Sequence, residues 1–350
     1  MASSAHQIGL VFETPETYPR HPGEPRDAHA EYEPEETIAV LEQAIAALGY
    51  GCRRIGSPAR LLAAVSGGEL ADLDAVLSIA EGYGSRNREA WAPVLLEMAG
   101  IPLLGSDALT LSLTLDKAWA NRMAAAFGIP VAPQSVMASA QQAREASLPA
   151  DFPLFVKPRW EGSSKGILGT CRVESRADLV REVSRITEDY AQPALVEAFV
   201  PGAEYTVAVV GNAPGRALPT LQRALEIDSR IGLHALENLE PPQGGWKHCL
   251  PGELGGALDQ RLHDLALQAF AIFECRDFAR IDFRLDADAE PVFLEINPLP
   301  TFATDGSFAI LAELEGRSQV ELLAEVFAGG LTRLGVPAMQ TLEMAGSAAR

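Results

Sequence analysis

Residues 278–297 read Phe278-Ala-Arg-Ile-Asp282-Phe-Arg-Leu285, then Asp286-Ala-Asp-Ala-Glu290, then Pro291-Val-Phe-Leu-Glu295-Ile-Asn297. The outer runs are strand-like and the polar middle suits an antiparallel turn, so the stretch predicts a β-hairpin. Side chains of a strand alternate between its faces. Ile281, Phe283 and Leu285 therefore share one face, with Arg280 and Asp282 on the other, while Val292, Leu294 and Ile296 oppose Glu295 and Asn297. Two carboxylates and an amide oxygen on one face form a hard-oxygen set suited to Mg2+, which takes few protein ligands and completes its shell with water and phosphate oxygens. Arg280 beside them suits a transferring phosphate. Polarity alone favours a plainer reading, a solvated outer face with a surface ion pair, so the hairpin needs support from elsewhere in the chain.

That support begins upstream. Glu161-Gly-Ser-Ser-Lys-Gly166 lies between two predicted strands, Phe152–Lys157 and Ile167–Val173. Glycines there free the backbone to turn N–H groups and the Ser163 and Ser164 hydroxyls toward an anion, and Lys157 adds charge; an ordinary hairpin turn is the competing reading. Gly162 to Gly166 also fits the serine-hydrolase pattern G-x-S-x-G, but that chemistry needs a strand-turn-helix elbow and the following run reads as strand. A Walker-type P-loop and a dinucleotide fingerprint are both absent from the sequence.

The first third alternates strand runs, Ile8–Phe12 and Ala75–Ile79, with helical patterns from about Pro34 and from about Glu89, which predicts an α/β layer. The first helix has Pro34 in its opening turn, Glu35 and Glu36 beside the positive dipole end, and Ile38, Leu41, Ile45 and Leu48 in one stripe ending at Gly49. Arg20 to Ala30 reads as a long loop, either a lid or an idle insertion. A helical pattern from Ser106 carries Lys117 and stops near Gly128; strand runs follow at Ala194–Val200 and Tyr205–Val210. A Pro/Gly-rich stretch from Glu240 to Gly256 is a candidate flap ahead of a helical pattern at Leu258–Phe273, and no internal repeat is visible.

Composition bounds the function. The chain has 350 residues, 47% hydrophobic content and a formal charge of -19. That is enough to bury a core across two or three compact domains, and it argues against a broad surface for nucleic acid or anionic membrane. Cys52, Cys171, Cys249 and Cys275 are scattered, without zinc spacing or disulfide density, and read as reduced core residues. With neither a leader pattern nor a bilayer-length apolar run, a cytoplasmic location is expected.

Taken in order, Leu104-Gly-Ser106, Leu115-Asp-Lys117, Phe155-Val-Lys-Pro158, the glycine loop, Val196-Glu-Ala-Phe-Val-Pro-Gly-Ala-Glu204, Ala279-Arg-Ile-Asp282 and Leu294-Glu-Ile-Asn-Pro298 resemble the D-alanine-D-alanine ligase branch of the ATP-grasp superfamily over most of the chain. The resemblance implies a three-domain α/β ATP-grasp architecture: an N-terminal α/β (pre-ATP-grasp) unit at 1–108, a central lid at 109–201, a C-terminal unit with the magnesium site at 202–337, and a flexible tail at 338–350. It implies an ADP-forming ligase that activates a carboxylate as an acyl phosphate for attack by an amine. Lys117, Lys157 and Ser164 would contact ATP phosphates, Glu197 with Phe199 and Val200 would read adenine, and Glu204 would hold ribose. Asp282, Glu295 and Asn297 would hold two Mg2+ ions, with Mn2+ as a substitute, and Arg280 and Ser163 would act catalytically. A homodimer acting on small amino acids is the family expectation.

The substrate motifs depart from that pattern. Where the family shows His-Gly and then Glu-Asp-Gly, this chain has Glu81-Gly-Tyr-Gly-Ser-Arg-Asn-Arg-Glu89, in which Arg86 and Arg88 are candidate forks for a carboxylate and Glu81 a candidate for an amine. In the family a glutamate beginning the first long helix binds the amine of the first substrate, and by that resemblance Glu33, with Glu36 close behind, is the nearest candidate. Thr301 stands where the family has glycine, Gly306 and Ser307 follow, and the flap Lys-Tyr pair is replaced by His234-Ala-Leu-Glu-Asn-Leu with Lys247 and His248 downstream. Three readings follow: D-alanyl-D-alanine-like dipeptide formation, a specialised ligase of L-amino acids or of mycosporine-type imines, or a nucleotide-binding regulator without turnover.

Overall fold

The computed structural model describes residues 6–223, 225, 249–251 and 256–336. Among them, three sheets and their covering helices make an α/β architecture. The first sheet is parallel, in the order β2-β1-β3-β4, from β1 (Gln7–Val11), β2 (Gly51–Gly56), β3 (Ala75–Ser78) and β4 (Leu103–Leu104). Parallel neighbours need crossovers, here α1 (Glu35–Ala47), α2 (Pro58–Gly67) and α3 (Trp91–Ala99). Pro34 is the N-cap of α1, and Gly49 follows its end with φ +84°. Two more helices, α4 (Ala108–Leu115) and α5 (Lys117–Ala126), meet at Asp116, whose carboxylate caps α5 by accepting from Trp119 N at 3.3 Å. This break sets Lys117 at the first turn of α5.

The central sheet is antiparallel, in the order β5-β8-β6-β7: β5 (Gln134–Met137), β6 (Leu154–Pro158), β7 (Arg172–Val173) and β8 (Ala194–Ala198). Its core, with Leu154, Val156, Val183, Ile186 and Val196, is closed by α6 (Ala140–Glu145) and α7 (Arg176–Asp189). The strand expected over 167–173 is corrected to a short pair at Arg172–Val173 after a 3-10 turn at Gly169–Cys171. Gly166 turns the chain with φ +76°, and its carbonyl is taken by Arg185 Nη2 at 2.8 Å and Cys171 Sγ at 3.3 Å instead of by a ladder.

The third sheet is antiparallel, in the order β12-β11-β9-β13-β14, with β10 beside β9. It comprises β9 (Glu204–Gly211), β10 (Arg216–Ala217), β11 (Leu221–Arg223), β12 (Cys249–Pro251), β13 (Asp277–Leu285) and β14 (Pro291–Asn297). One face packs on α5 and α8 (Gly256–Ile272) around Phe270, Phe283 and Phe293. The opposite face shares a core with the first sheet: Ile38, Leu41 and Ile45 of α1 join Phe278, Phe308 of α9 (Ser307–Leu314), and Leu322, Leu323 and Phe327 of α10 (Gln319–Arg333). Asp277, fully buried, binds the two halves by accepting from Arg333 Nη2 (2.6 Å), Asn212 Nδ2 (2.8 Å) and Gly105 N (2.8 Å).

The hairpin forms as read, with one correction to its alternation. Asp282 pairs with Glu295 and Phe283 with Phe293, so Leu294 is the extra residue of a β-bulge. Phe293 and Ile296 face the core, while Leu294 lines the cleft beside Glu295. Of the expected flap, Cys249–Pro251 forms β12 and Gly256 opens α8, while the rest, including His234, Lys247 and His248, lies outside the described residues, as does the tail at 338–350. Cys52, Cys171 and Cys275 are free thiols, the last two buried. No described helix is long and apolar enough to cross a membrane.

Candidate active site

A cleft of about 540 Å3 opens where the central and third sheets face each other, and the N-terminal unit closes one end. The hairpin supplies one wall. Register places Asp282 directly opposite Glu295, and Arg280 opposite Asn297. Asp282 accepts from Thr206 Oγ1 at 2.7 Å and pairs with Arg280 Nη2 at 2.9 Å. Glu295 Oε2 lies 3.0 Å from Lys117 Nζ, and Asn297 Nδ2 donates to Glu295 Oε1 at 3.2 Å. Burial by itself would raise the Glu295 carboxyl, but the charges of Lys117, Lys157 and Arg280 outweigh it and hold the group ionised, well below the usual carboxylate range.

Among the described residues no three His, Cys, Asp or Glu side chains gather as a closed metal cage. The hairpin instead offers two carboxylates and the Asn297 amide oxygen, which has no hydrogen-bond partner among the described residues. This open, oxygen-only set fits Mg2+ completed by nucleotide phosphates, and it does not suit a soft metal.

The central sheet supplies the facing wall. Lys157 on β6 and Glu197 on β8 form a buried pair at 2.7 Å, and Asn121 Nδ2 donates to the other Glu197 oxygen at 2.8 Å. Phe199 and Val200 continue from β8 along the cleft rim, and Phe199 lies under the Arg172 and Arg284 guanidiniums at 4.7 and 5.3 Å. Glu204 begins β9 at the same end, its carboxyl raised by burial against the pull of Arg284.

The glycine loop lies over this wall. Ser163 and Ser164 hold left-handed φ values of 43° and 57°, a sparsely used conformation for residues with a Cβ. Three of its donors, the Gly162 and Gly166 amides and the Lys165 ammonium, already have partners in the N-terminal unit. Glu31 accepts from Gly162 N at 2.5 Å and meets Lys165 Nζ at 3.0 Å; Asp27 accepts from Gly166 N at 2.8 Å and from the Tyr190 hydroxyl at 2.8 Å. The Arg20–Ala30 loop and Glu31 thus form a latch over the glycine loop. Sequence reasoning missed Asp27, Glu31, Glu89 and the pairing of Lys165; the available signal was a lysine inside the glycine loop that needed a counter-charge.

Of the predicted substrate residues, Glu33, Thr301, Gly306 and Ser307 line the cleft. Glu33 accepts from Thr37 Oγ1 at 3.0 Å, and Ser307 Oγ accepts from Arg223 Nη2 at 2.9 Å. Glu36 is exposed. Glu81 opens on a smaller chamber of about 40 Å3 that adjoins the cleft. Two assignments are corrected. Arg88 is not a fork for substrate: buried, it donates to Glu31 at 2.6 Å, Trp160 O at 2.6 Å and Glu161 at 3.3 Å, and it lines neither cavity. Arg86 is exposed and also lies outside both. The 3-10 turn at Arg88–Ala90 reverses the chain here, sending Arg88 toward Glu31 and leaving Arg86 in solvent.

The protein-family model described as D-ala D-ala ligase C-terminus matches residues 123–328. The uncharacterised protein y4sG of Sinorhizobium fredii is 33% identical over 71% of this chain and 72% of its own length. The D-alanine-D-alanine ligase of Desulforudis audaxviator is 33% identical over 69% of this chain and 76% of its own. Among solved structures, D-alanine-D-alanine ligase from Bacillus anthracis complexed with ATP superposes with a TM-score of 0.67 over 95% of this chain and 99% of that one, at 18% identity. VanG D-Ala:D-Ser ligase from Enterococcus faecalis gives a TM-score of 0.68 over 93% and 99%, also at 18%. At such identities the likeness speaks to the fold.

Proposed function

The chain belongs to the D-alanine-D-alanine ligase family of ATP-grasp carboxylate-amine ligases, and from that premise we propose that it activates a carboxylate with ATP as an acyl phosphate and joins it to the amine of an amino acid. The observation that carries the reading is the convergence of Lys117, Lys157, Arg280 and an ionised Glu295 on one end of a single cleft, each from a different element or strand position. A carboxylate is a poor electrophile at neutral pH. Attack of its oxygen on the γ-phosphorus breaks the bond to the bridging oxygen and releases ADP. The neutral amine nitrogen then attacks the acyl carbon, phosphate leaves with the C–O electron pair, and the proton lost by the nitrogen passes to the departing phosphate.

In this reading Lys117, Lys157 and Ser164 hold phosphates, Glu197 with Phe199 and Val200 reads adenine, and Glu204 holds ribose. Arg280 and Ser163 stabilise charge on the transferring phosphoryl and the developing oxyanion. Asp282, Glu295 and Asn297 would hold Mg2+, as two ions and with Mn2+ as a substitute; the metal supplies charge neutralisation on the phosphates. Glu33, Glu81, Thr301, Gly306 and Ser307 serve the amino-acid substrates.

The test is ADP release from ATP and Mg2+ against a panel of D- and L-amino acids, with products identified by mass. Amino-acid-dependent ADP release with an amide product is expected; ATP turnover indifferent to every acid would sink the reading. A homodimer, the family expectation, is checked by light scattering, where a particle of 37.4 kDa would refute it.

A further inference from the structure

The chamber of about 40 Å3 opens off the cleft, and Lys117, Ser163, Arg280 and Thr301 are among the residues that line both. Four carboxylates border it: Glu31 and Glu33, which it shares with the cleft, and Glu81 and Glu89, which the cleft does not reach. Their charges are not equally met. Glu31 is neutralised at short range by Arg88 and Lys165, and Glu33 accepts from Thr37. The cations nearest Glu89 are committed elsewhere, Arg88 to Glu31 and Lys117 to Glu295. Glu89 is 9% exposed, and among the described residues its carboxylate accepts no hydrogen bond and makes no ion pair. Glu81 is likewise without either.

A buried carboxylate without a partner is costly, so a site that keeps two beside an open chamber is built for a counter-charge that arrives from outside. Arg280 lines both the chamber and the cleft, so the counter-charge enters as one end of a substrate whose carboxylate stays near Arg280. Glu33 already offers a hydrogen-bonded carboxylate for an α-amine. On that basis, and resting on the ligase reading, we propose that the Glu81–Glu89 chamber receives a second ammonium group, and that the acid activated here is a compact diamino acid. At about 40 Å3 the chamber exceeds the roughly 10–15 Å3 that one water needs, so it has room for an ammonium group on a short side chain.

The test compares binding of 2,3-diaminopropionate and 2,4-diaminobutyrate with that of their near-isosteres 2-aminobutyrate and norvaline, in both chiralities, by calorimetry on the full-length protein with Mg2+ and a non-hydrolysable ATP analogue. At least a tenfold preference for a diamino acid is expected, and E89Q and E81Q should each pull that preference toward unity. Equal affinities, no binding of either class, or a preference that both variants leave intact would overturn the proposal. A preference without ADP release from ATP leaves the chamber assignment standing and counts against the ligase reading, so the two fail separately.

Discussion

Replacing Glu31 by glutamine tests whether the latch is structural. Glu31 is 5% exposed and carries Arg88, Lys165 and the Gly162 amide on one carboxylate. Burial would raise its carboxyl, but the Arg88 and Lys165 charges and the loop amide outweigh it and hold it at about 2, against 4.5 for an ordinary glutamate. A depressed carboxyl stabilises the fold above its unfolded value, and that stabilisation is lost as pH falls through about 2. A shift of that size corresponds to about 3 kcal/mol at pH 7. It agrees with the about 3–5 kcal/mol typical of removing one partner from a buried pair. Glutamine keeps the shape and one acceptor, so E31Q isolates the charge, leaving Arg88 and Lys165 with Glu161 as their shared counter-charge. Urea unfolding at pH 7 should show a loss of about 3 kcal/mol, nearly absent when Arg88 and Lys165 are neutralised in the same chain. A loss below about 1 kcal/mol would show the latch to be a solvated contact of little consequence.

Two further outcomes follow from other groups. E295Q should cut amino-acid-dependent ADP release by about a hundredfold or more while the chain still unfolds cooperatively, at a lower melting temperature because Lys117 loses its buried counter-charge; full activity would remove the magnesium assignment. Burial, opposed by Arg88 and reinforced by Glu31, pushes the Glu89 carboxyl up to about 7. A raised carboxyl costs stability as pH climbs from 4.5 through 7, so E89Q should be the more stable protein at pH 8, by about 1–3 kcal/mol, with the gap closing near pH 5. Denaturant midpoints across that range check the sign, and a gap independent of pH would contradict it.

The parts of the site legible in the sequence are those whose chemistry is local. Asp282 and Glu295 sit on one hairpin, so strand alternation alone brings them together. The bulge at Leu294 shifted which apolar residues face the core without separating the two acids, because they pair across the register on the near side of it. Lys157 and Glu197 lie on strands two places apart in the chain and adjacent in the sheet, and family resemblance supplied what spacing could not. The latch was not legible: Glu31 and Lys165 are far apart in sequence, and the loop before Glu31 has no period from which a direction could be read. Arg88 was misjudged for the same reason, since a charge in a loop does not announce its partner. The helices α2, α6, α7, α9 and α10 went unassigned, although Ser175 and Ser318 mark two of their starts as N-caps.

The shared core of α1 and α10 also orders the birth of the molecule on the ribosome. The stripe of Ile38, Leu41 and Ile45 is synthesised long before α10, whose Leu322, Leu323 and Phe327 share its core together with Ile8, Leu10 and Leu77 of the first sheet. Until α10 emerges, that core is closed only in part, by the strands of the first sheet. The central sheet has no such wait, because α6 and α7 lie within a few dozen residues of the strands they cover and close their own core around Val156 and Val183. Its contacts are the more local in sequence, so the central sheet can close its core before α1 meets α10.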